Sequence, residues 1–185
     1  MVSLEDYAYI LDYLPQGSPS ERGFKHEPVA FAIGGEEFKL FELIPRPGVS
    51  ISPGDRVYIG KDMELRQHIL HVKRRLSYDE LTSNGQSELP HTLERVVMDS
   101  EQRFVRFFNE AQAITTRLHT LELLPGLGKK SMWAIIDERR KQKFTSLDDV
   151  QKRVSTVHHP AKIVAKRIVE ELSNHEQKYR LFVAR

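Results

Sequence analysis

Cysteine is absent from the 185 residues, which removes disulfide frameworks, Cys-ligated zinc, iron–sulfur clusters and thiol nucleophiles together. Long apolar runs are missing as well. No stretch approaches the ~18 residues that a membrane span requires, and the opening Met1-Val2-Ser3-Leu4-Glu5-Asp6 has no basic region leading into an apolar one. A cytoplasmic protein without a membrane role is expected. With 10 Gly, 9 Pro and no low-complexity tract or useful internal repeat, collagen-like and disordered classes are excluded. Any chemistry would fall to His, Ser, Tyr, Lys and carboxylates, with no cofactor or metal expected.

The charge that is present is unevenly placed. Net charge is only +2, yet residues 1–75 hold ten Lys/Arg against eleven Asp/Glu, residues 76–120 hold four against seven, and residues 121–185 hold fourteen against eight. Phosphate neutralisation is local, so a cationic final third on a nearly neutral chain suits a nucleic-acid-facing module better than the total implies. Solvated helix faces are the alternative explanation of the same charges.

Residues 1–75 carry strand patterning. Tyr7, Tyr9, Leu11 and Tyr13 alternate with Ala8, Ile10, Asp12 and Leu14, which predicts one extended segment with the three tyrosines on a shared face. Gln16 to Glu27 reads as a loop. Val29 to Ile33 and Glu37 to Ile44 flank Gly34-Gly35, a dipeptide that accepts positive φ in a tight hairpin. Pro53-Gly54-Asp55 turns into Val57 to Gly60, and His68 to Arg75 completes five strands, an order that suits a small barrel of OB-like type with closed edges. From Tyr78 the period becomes helical: Leu89-Pro90 is placed at a helix start, Asp99 and Gln102 stand at capping-box spacing, and Phe104, Phe107, Phe108, Ala111 and Ile114 recur every three or four residues. The fold class is α+β, with an OB-like barrel over 1–77, connecting helices over 78–115 and an all-helical domain over 116–185.

The most informative segment runs from Thr116 to Arg140. It predicts a short helix with Leu118, Leu121 and Leu124 on one side, a Gly-x-Gly turn, and a second helix with Trp133, Ile135 and Ile136 at apolar positions. Gly126 and Gly128 permit a tight bend and leave N–H groups uncovered where the following helix begins, a place that favours an anion. Lys129 and Lys130 add charge there, so contacts would go to backbone phosphates and read little base sequence.

Leu124-Pro125-Gly126-Leu127-Gly128-Lys129-Lys130 resembles the hairpin of helix-hairpin-helix nucleic-acid-binding modules, although Met132 stands where such modules usually carry a small residue. Phe144 to Val150, with Ser146 and Asp149 as a capping box, resembles the connector into a second and degenerate unit in which His158-His159-Pro160-Ala161-Lys162 replaces the glycine turn. Over its whole length, through Glu101–Asn109, Thr116–Lys130 and Arg167–Leu172, the chain resembles an archaeal family of uncharacterised, predicted RNA-binding proteins that join an OB-like barrel to helix-hairpin-helix units. The resemblance implies RNA rather than DNA as ligand and no established reaction. The expected function is therefore non-catalytic nucleic-acid binding. Its phosphate cradle is Gly126, Leu127, Gly128, Lys129 and Lys130, with flanking cations drawn from Arg139, Arg140, Lys141, Lys143, Lys152, Arg153, Lys162, Lys166 and Arg167.

Sharper chemistry has weaker support in the residues. A nucleotide-binding P-loop needs Gly five residues before Gly128 and Ser or Thr after Lys129, where Leu123 and Lys130 stand. Some hairpin-containing glycosylases use a Lys just past the turn and a later Asp, an order that Lys130 and Asp148 would match; Asp148 instead lies within a capping sequence. A nuclease, or a protein-interaction adaptor, are the other classes. His68 and His71 point to opposite strand faces, His158-His159 lack a nearby acidic ligand, and His119 reads as a helix-surface or packing residue. In the barrel, Tyr7, Tyr9, Tyr13 and Phe31 could stack bases with Lys73, Arg74 and Arg75 holding the backbone. They could equally fill the interior, and the slightly acidic barrel would then suit a protein partner.

Overall fold

Alternation in the first half yields five strands, β1 (Tyr7–Leu14), β2 (Val29–Gly34), β3 (Leu40–Pro45), β4 (Arg56–Tyr58) and β5 (Ile69–Leu76), in a computed structural model that describes residues 5–18 and 27–184. Most of the expected Gln16–Glu27 loop lies outside the described residues. The strands form one antiparallel sheet in the order β4-β1-β2-β3-β5. It curls as a half-barrel, and since β4 and β5 pair with β1 and β3 but not with each other, the edges expected to close stay open. Every residue of β2 and β3 is buried. One core cluster gathers Ala8, Ile10, Ala32, Leu43, Val57 and Ile69.

Two local devices depart from simple alternation. The β1–β2 register shifts between Ile10 and Asp12, and a bulge changes which side the following side chains face. Tyr13 therefore packs against the Ala8 and Ile10 cluster, whereas Tyr7 meets Tyr58 edge-on with the Arg56 guanidinium 3.5 Å above its ring. The three tyrosines do not share a face. The β2–β3 turn also differs, because positive φ falls on the buried Phe38 (φ 57°) and not on Gly34 or Gly35. Gly34 is required for another reason: the buried Glu5 carboxylate occupies the space a Cβ would need. That carboxylate accepts hydrogen bonds from the backbone N–H groups of Glu36 (2.8 Å), Glu37 (2.8 Å) and Lys39 (3.4 Å).

A 3-10 turn (Tyr78–Glu80) leads to α1 (Ser83–Asp99). Its start is set by Thr82, whose hydroxyl accepts from the Gly85 N–H at 3.0 Å and donates to the Asp12 carboxylate. Pro90 lies inside this helix rather than at its start; it is exposed and forfeits one main-chain bond. α2 (Glu101–Glu110) begins after Ser100 with no side-chain cap, so Asp99 and Gln102 form no capping box; the Gln102 amide donates instead to the Thr145 carbonyl at 3.1 Å. α2 ends before Ile114, which is exposed in β6 (Ala113–Thr115), paired with β7 (Leu118–His119). Then follow a 3-10 turn (Thr120–Leu123), α3 (Lys129–Lys141), α4 (Leu147–Arg153) and α5 (Pro160–Ser173).

The chain divides into two compact units, one formed by 1–92 with 171–185 and the other by 93–170. The sequence division at 77 and 115 put the cut outside α1, whereas here it falls within α1 and again within α5. In the first unit the fully buried Glu171 carboxylate accepts from the N–H groups of Leu181 (2.6 Å), Phe182 (3.0 Å) and Val183 (2.9 Å), fixing the segment after α5. No helix among the described residues is long and apolar enough to cross a membrane.

Candidate nucleic-acid interface

The Gly-x-Gly segment is a turn entering α3, preceded by a β7 and 3-10 element where a short α-helix was expected. Spacing of Leu118, Leu121 and Leu124 at three residues satisfies a 3-10 turn as well as an α-helix. His119 is the buried N-cap of that turn: its Nδ1 accepts from the Leu121 N–H at 3.1 Å, and the Glu122 carboxylate accepts from the His119 N–H at 2.8 Å. Burial, then the charge of Arg139, holds the imidazole below the ordinary histidine value, which suits a neutral acceptor. The turn itself is pinned by the Leu127 N–H donating to the Leu124 carbonyl at 3.1 Å, with both leucines buried.

Gly126 has φ 81° and Gly128 is the N-cap of α3 in extended conformation, with no side-chain cap. A Cβ at either would come within 4 Å of nothing among the described residues. Both are exposed, as is Lys130, so the first-turn amides of α3 open outward. Lys129 is committed elsewhere: its Nζ lies 3.0 Å from Glu122 and donates to the Arg117 carbonyl at 3.1 Å. Glu122 is held below the usual glutamate range by the His119 N–H and then by Lys129. This hairpin brace, seven residues long, was missed because helical periodicity does not carry across a turn.

The flanking cations separate into two groups. Arg139 is structural, donating to the Phe108 (3.0 Å) and Ala111 (2.8 Å) carbonyls at the end of α2, where cations and donors satisfy orphan carbonyls. Arg167 is buried and donates to the Leu123 carbonyl at 3.1 Å, tying α5 to the hairpin. Arg153 donates to the Glu138 and Gln142 carbonyls, 2.7 Å each. Lys152 pairs with Asp148 at 2.6 Å and Lys141 with Glu138 at 2.6 Å. Arg140, Lys143, Lys162 and Lys166 are exposed, Arg140 at 3.9 Å from Asp137. Trp133, expected at an apolar position, is 53% exposed on α3 one turn past the glycines.

A second turn is closed by the same kind of bond, with its positive φ beyond the turn instead of inside it. The Val157 N–H donates to the Val154 carbonyl at 3.0 Å and both valines are buried. Positive φ falls on His159 (φ 51°), just before Pro160 opens α5. Ser131 in α3 donates its hydroxyl to Thr156 at 2.8 Å, joining the two turns. Ser146 caps α4 by accepting from the Asp149 N–H at 2.9 Å, but Asp149 accepts from the Thr145 N–H (3.1 Å) rather than completing the expected box with Ser146.

The barrel constellation is not assembled. Tyr9 is buried and Tyr7 and Tyr13 are half-buried. Lys73 (3.5 Å) and Arg74 (2.7 Å) are bound to the buried Glu42 on β3, and Arg74 also reaches Glu80 at 2.5 Å. Their strand, β5, is separated from β1 by β3 and β2. Phe31 is buried, which favours the filling role weighed for it. Among the described residues no three His, Asp or Glu side chains are grouped so as to hold a metal ion.

Comparison with other proteins extends over nearly the whole chain. A family model described as a protein of unknown function, DUF655, matches residues 4–184. The chain is 49% identical over 180 residues, 97% of its length and 80% of the relative's, to the uncharacterized protein MJ0038 of Methanocaldococcus jannaschii. It superposes on the crystal structure of Af1531 from Archaeoglobus fulgidus with a TM-score of 0.90 and 44% identity, covering 97% of this chain and 100% of that one.

Proposed function

The chain belongs to the DUF655 family of archaeal proteins, and from that footing we propose that it is a non-catalytic nucleic-acid-binding protein, RNA favoured over DNA, that holds backbone phosphate at the Gly126–Lys130 turn. The observation that carries the reading is the N-terminus of α3: Gly128 is its N-cap, no side chain caps it, and the space beside both glycines is open. Backbone donors with a favourable helix dipole bind phosphate without reading bases. The paired turns, each closed by an i to i+3 bond between buried apolar residues, support a helix-hairpin-helix assignment with one glycine-bearing and one histidine-bearing copy. In this reading the curled sheet is an OB-like module left open between β4 and β5. The commitment of Asp148 to Lys152 favours binding over a Lys130-based glycosylase.

The test is an anisotropy panel of single- and double-stranded RNA and DNA over a range of salt. Binding should weaken steeply with salt and vary little with sequence. Lys130→Gln should reduce the salt slope by about 0.7 to 0.9, one phosphate contact. Trp133 is the one tryptophan of the sequence, and its fluorescence should change on binding. Absence of any binding at low salt would overturn the proposal in favour of a protein adaptor.

A further inference from the structure

The first unit contains a groove of about 720 Å³ lined by the β2–β3 turn, the end of β5 and the segment after α5. Its size falls within the range of small-molecule sites, roughly 300 to 1,000 Å³. The walls combine apolar side chains, Leu40, Leu76 and Val183, with cationic ones, Arg75, Lys178 and Arg180. Nearby carboxylates are largely committed: Glu171 is saturated by three backbone N–H groups, and Glu80 takes Arg74 and Ser77. Among the described residues Arg75 and Arg180 make no ion pair, and the buried Nε of Arg180 has no acceptor. An arginine cannot shed its proton to relieve a missing partner, so two guanidinium groups without a carboxylate partner in one groove wall leave positive charge that an anion can neutralise.

We propose that this groove binds a small organic phosphomonoester of nucleotide size, its phosphate held by Arg75 and Arg180 and its organic part lying on the apolar wall and Tyr78. Four cations among the lining residues, Lys39, Arg75, Lys178 and Arg180, stand against two carboxylates, Glu171 and Glu176, an excess of two positive charges. A phosphomonoester carries about −1.5 to −2 at neutral pH and meets that excess, which a single carboxylate does not. Two guanidinium groups also match phosphate geometry better than ammonium groups. The site is distinct from the glycine turn and does not depend on the function proposed for it.

The full chain would be titrated with inorganic phosphate, adenosine monophosphate and adenosine, following backbone amide NMR shifts and heat of binding. Adenosine monophosphate should shift the amides of Ser77, Tyr78 and residues 178–183, with phosphate weaker and adenosine weaker still. Arg75→Gln and Arg180→Gln should each weaken the nucleotide by at least about tenfold, the scale of a charge-assisted hydrogen bond, while Gly128→Val should leave it unchanged. Arg75 is exposed, so its variant tests the site without disturbing the fold. Equal binding of adenosine and its monophosphate, shifts confined to residues 126–131, no shifts at all, or indifference to the Arg75 variant would each overturn the proposal.

Discussion

At Gly126 the backbone turns through φ 81°, a conformation that costs an L-residue about 1 to 2 kcal/mol, whereas Gly128 sits in extended backbone with free space around it. The two positions therefore answer to different constraints. Gly126→Val should lower stability by roughly that amount and weaken nucleic-acid binding with it. Gly128→Val should cost under about 1 kcal/mol, the scale of a weakened N-cap. It should nevertheless reduce binding tenfold or more, because the added side chain stands over the α3 amides. Thermal melts beside anisotropy separate the outcomes, and a Gly128→Val protein that binds as wild type would remove the turn from consideration. The residue scale also shows why cation counting overstates a site. Of the nine flanking Lys and Arg read from sequence, Arg139, Arg153 and Arg167 spend their donors on backbone carbonyls.

Among the elements, the brace across the hairpin makes a pH prediction. Glu122 is held below its ordinary value by the His119 N–H and Lys129, so its contribution is present above the unfolded glutamate value near 4.3 and is lost as pH falls through the lower folded value. Glu122→Gln should thus be less stable than wild type at pH 7, with the difference shrinking in acid below about pH 4, read by melts at several pH values. A difference that grew on acidification would contradict the assigned partners. Local rules carried part of this level. β1 runs over the residues that alternation indicated, and the Ser146 cap of α4 followed from a side chain acting on its own neighbourhood. The β1 bulge was not legible, since it depends on how β2 pairs with β1, and no single strand encodes its partner's register. The exposure of Trp133 at an apolar position and of Ile114 in a helical series is not legible for a related reason: spacing assigns residues to a common face without saying whether anything covers it. Local preference disfavours Pro90 inside a helix and so points to it as a helix start, yet the Thr82 cap sets the start of α1 seven residues earlier.

Over the whole molecule, charge follows the compact units. Residues 93–170 hold fifteen Lys/Arg against ten Asp/Glu, and the other unit holds thirteen against sixteen, so the near-neutral total conceals a cationic and an anionic part. If the cationic unit binds without chemistry, borohydride should trap no adduct between the protein and abasic duplex DNA. A stoichiometric adduct lost in Lys130→Gln would make Lys130 a nucleophile and replace the proposed function. The order of the units along the chain has a consequence for synthesis. The sheet unit is begun by residues 1–92 and completed by 171–185, with the whole of 93–170 intervening. A ribosome therefore releases every residue of the helical unit before it releases Glu171, whose carboxylate gathers the amides of Leu181, Phe182 and Val183. Domains fold as units during translation, so here the part that starts first is the part that finishes last: all five strands have emerged by Leu76, yet their unit lacks the 171–185 segment until the hairpins have emerged and folded.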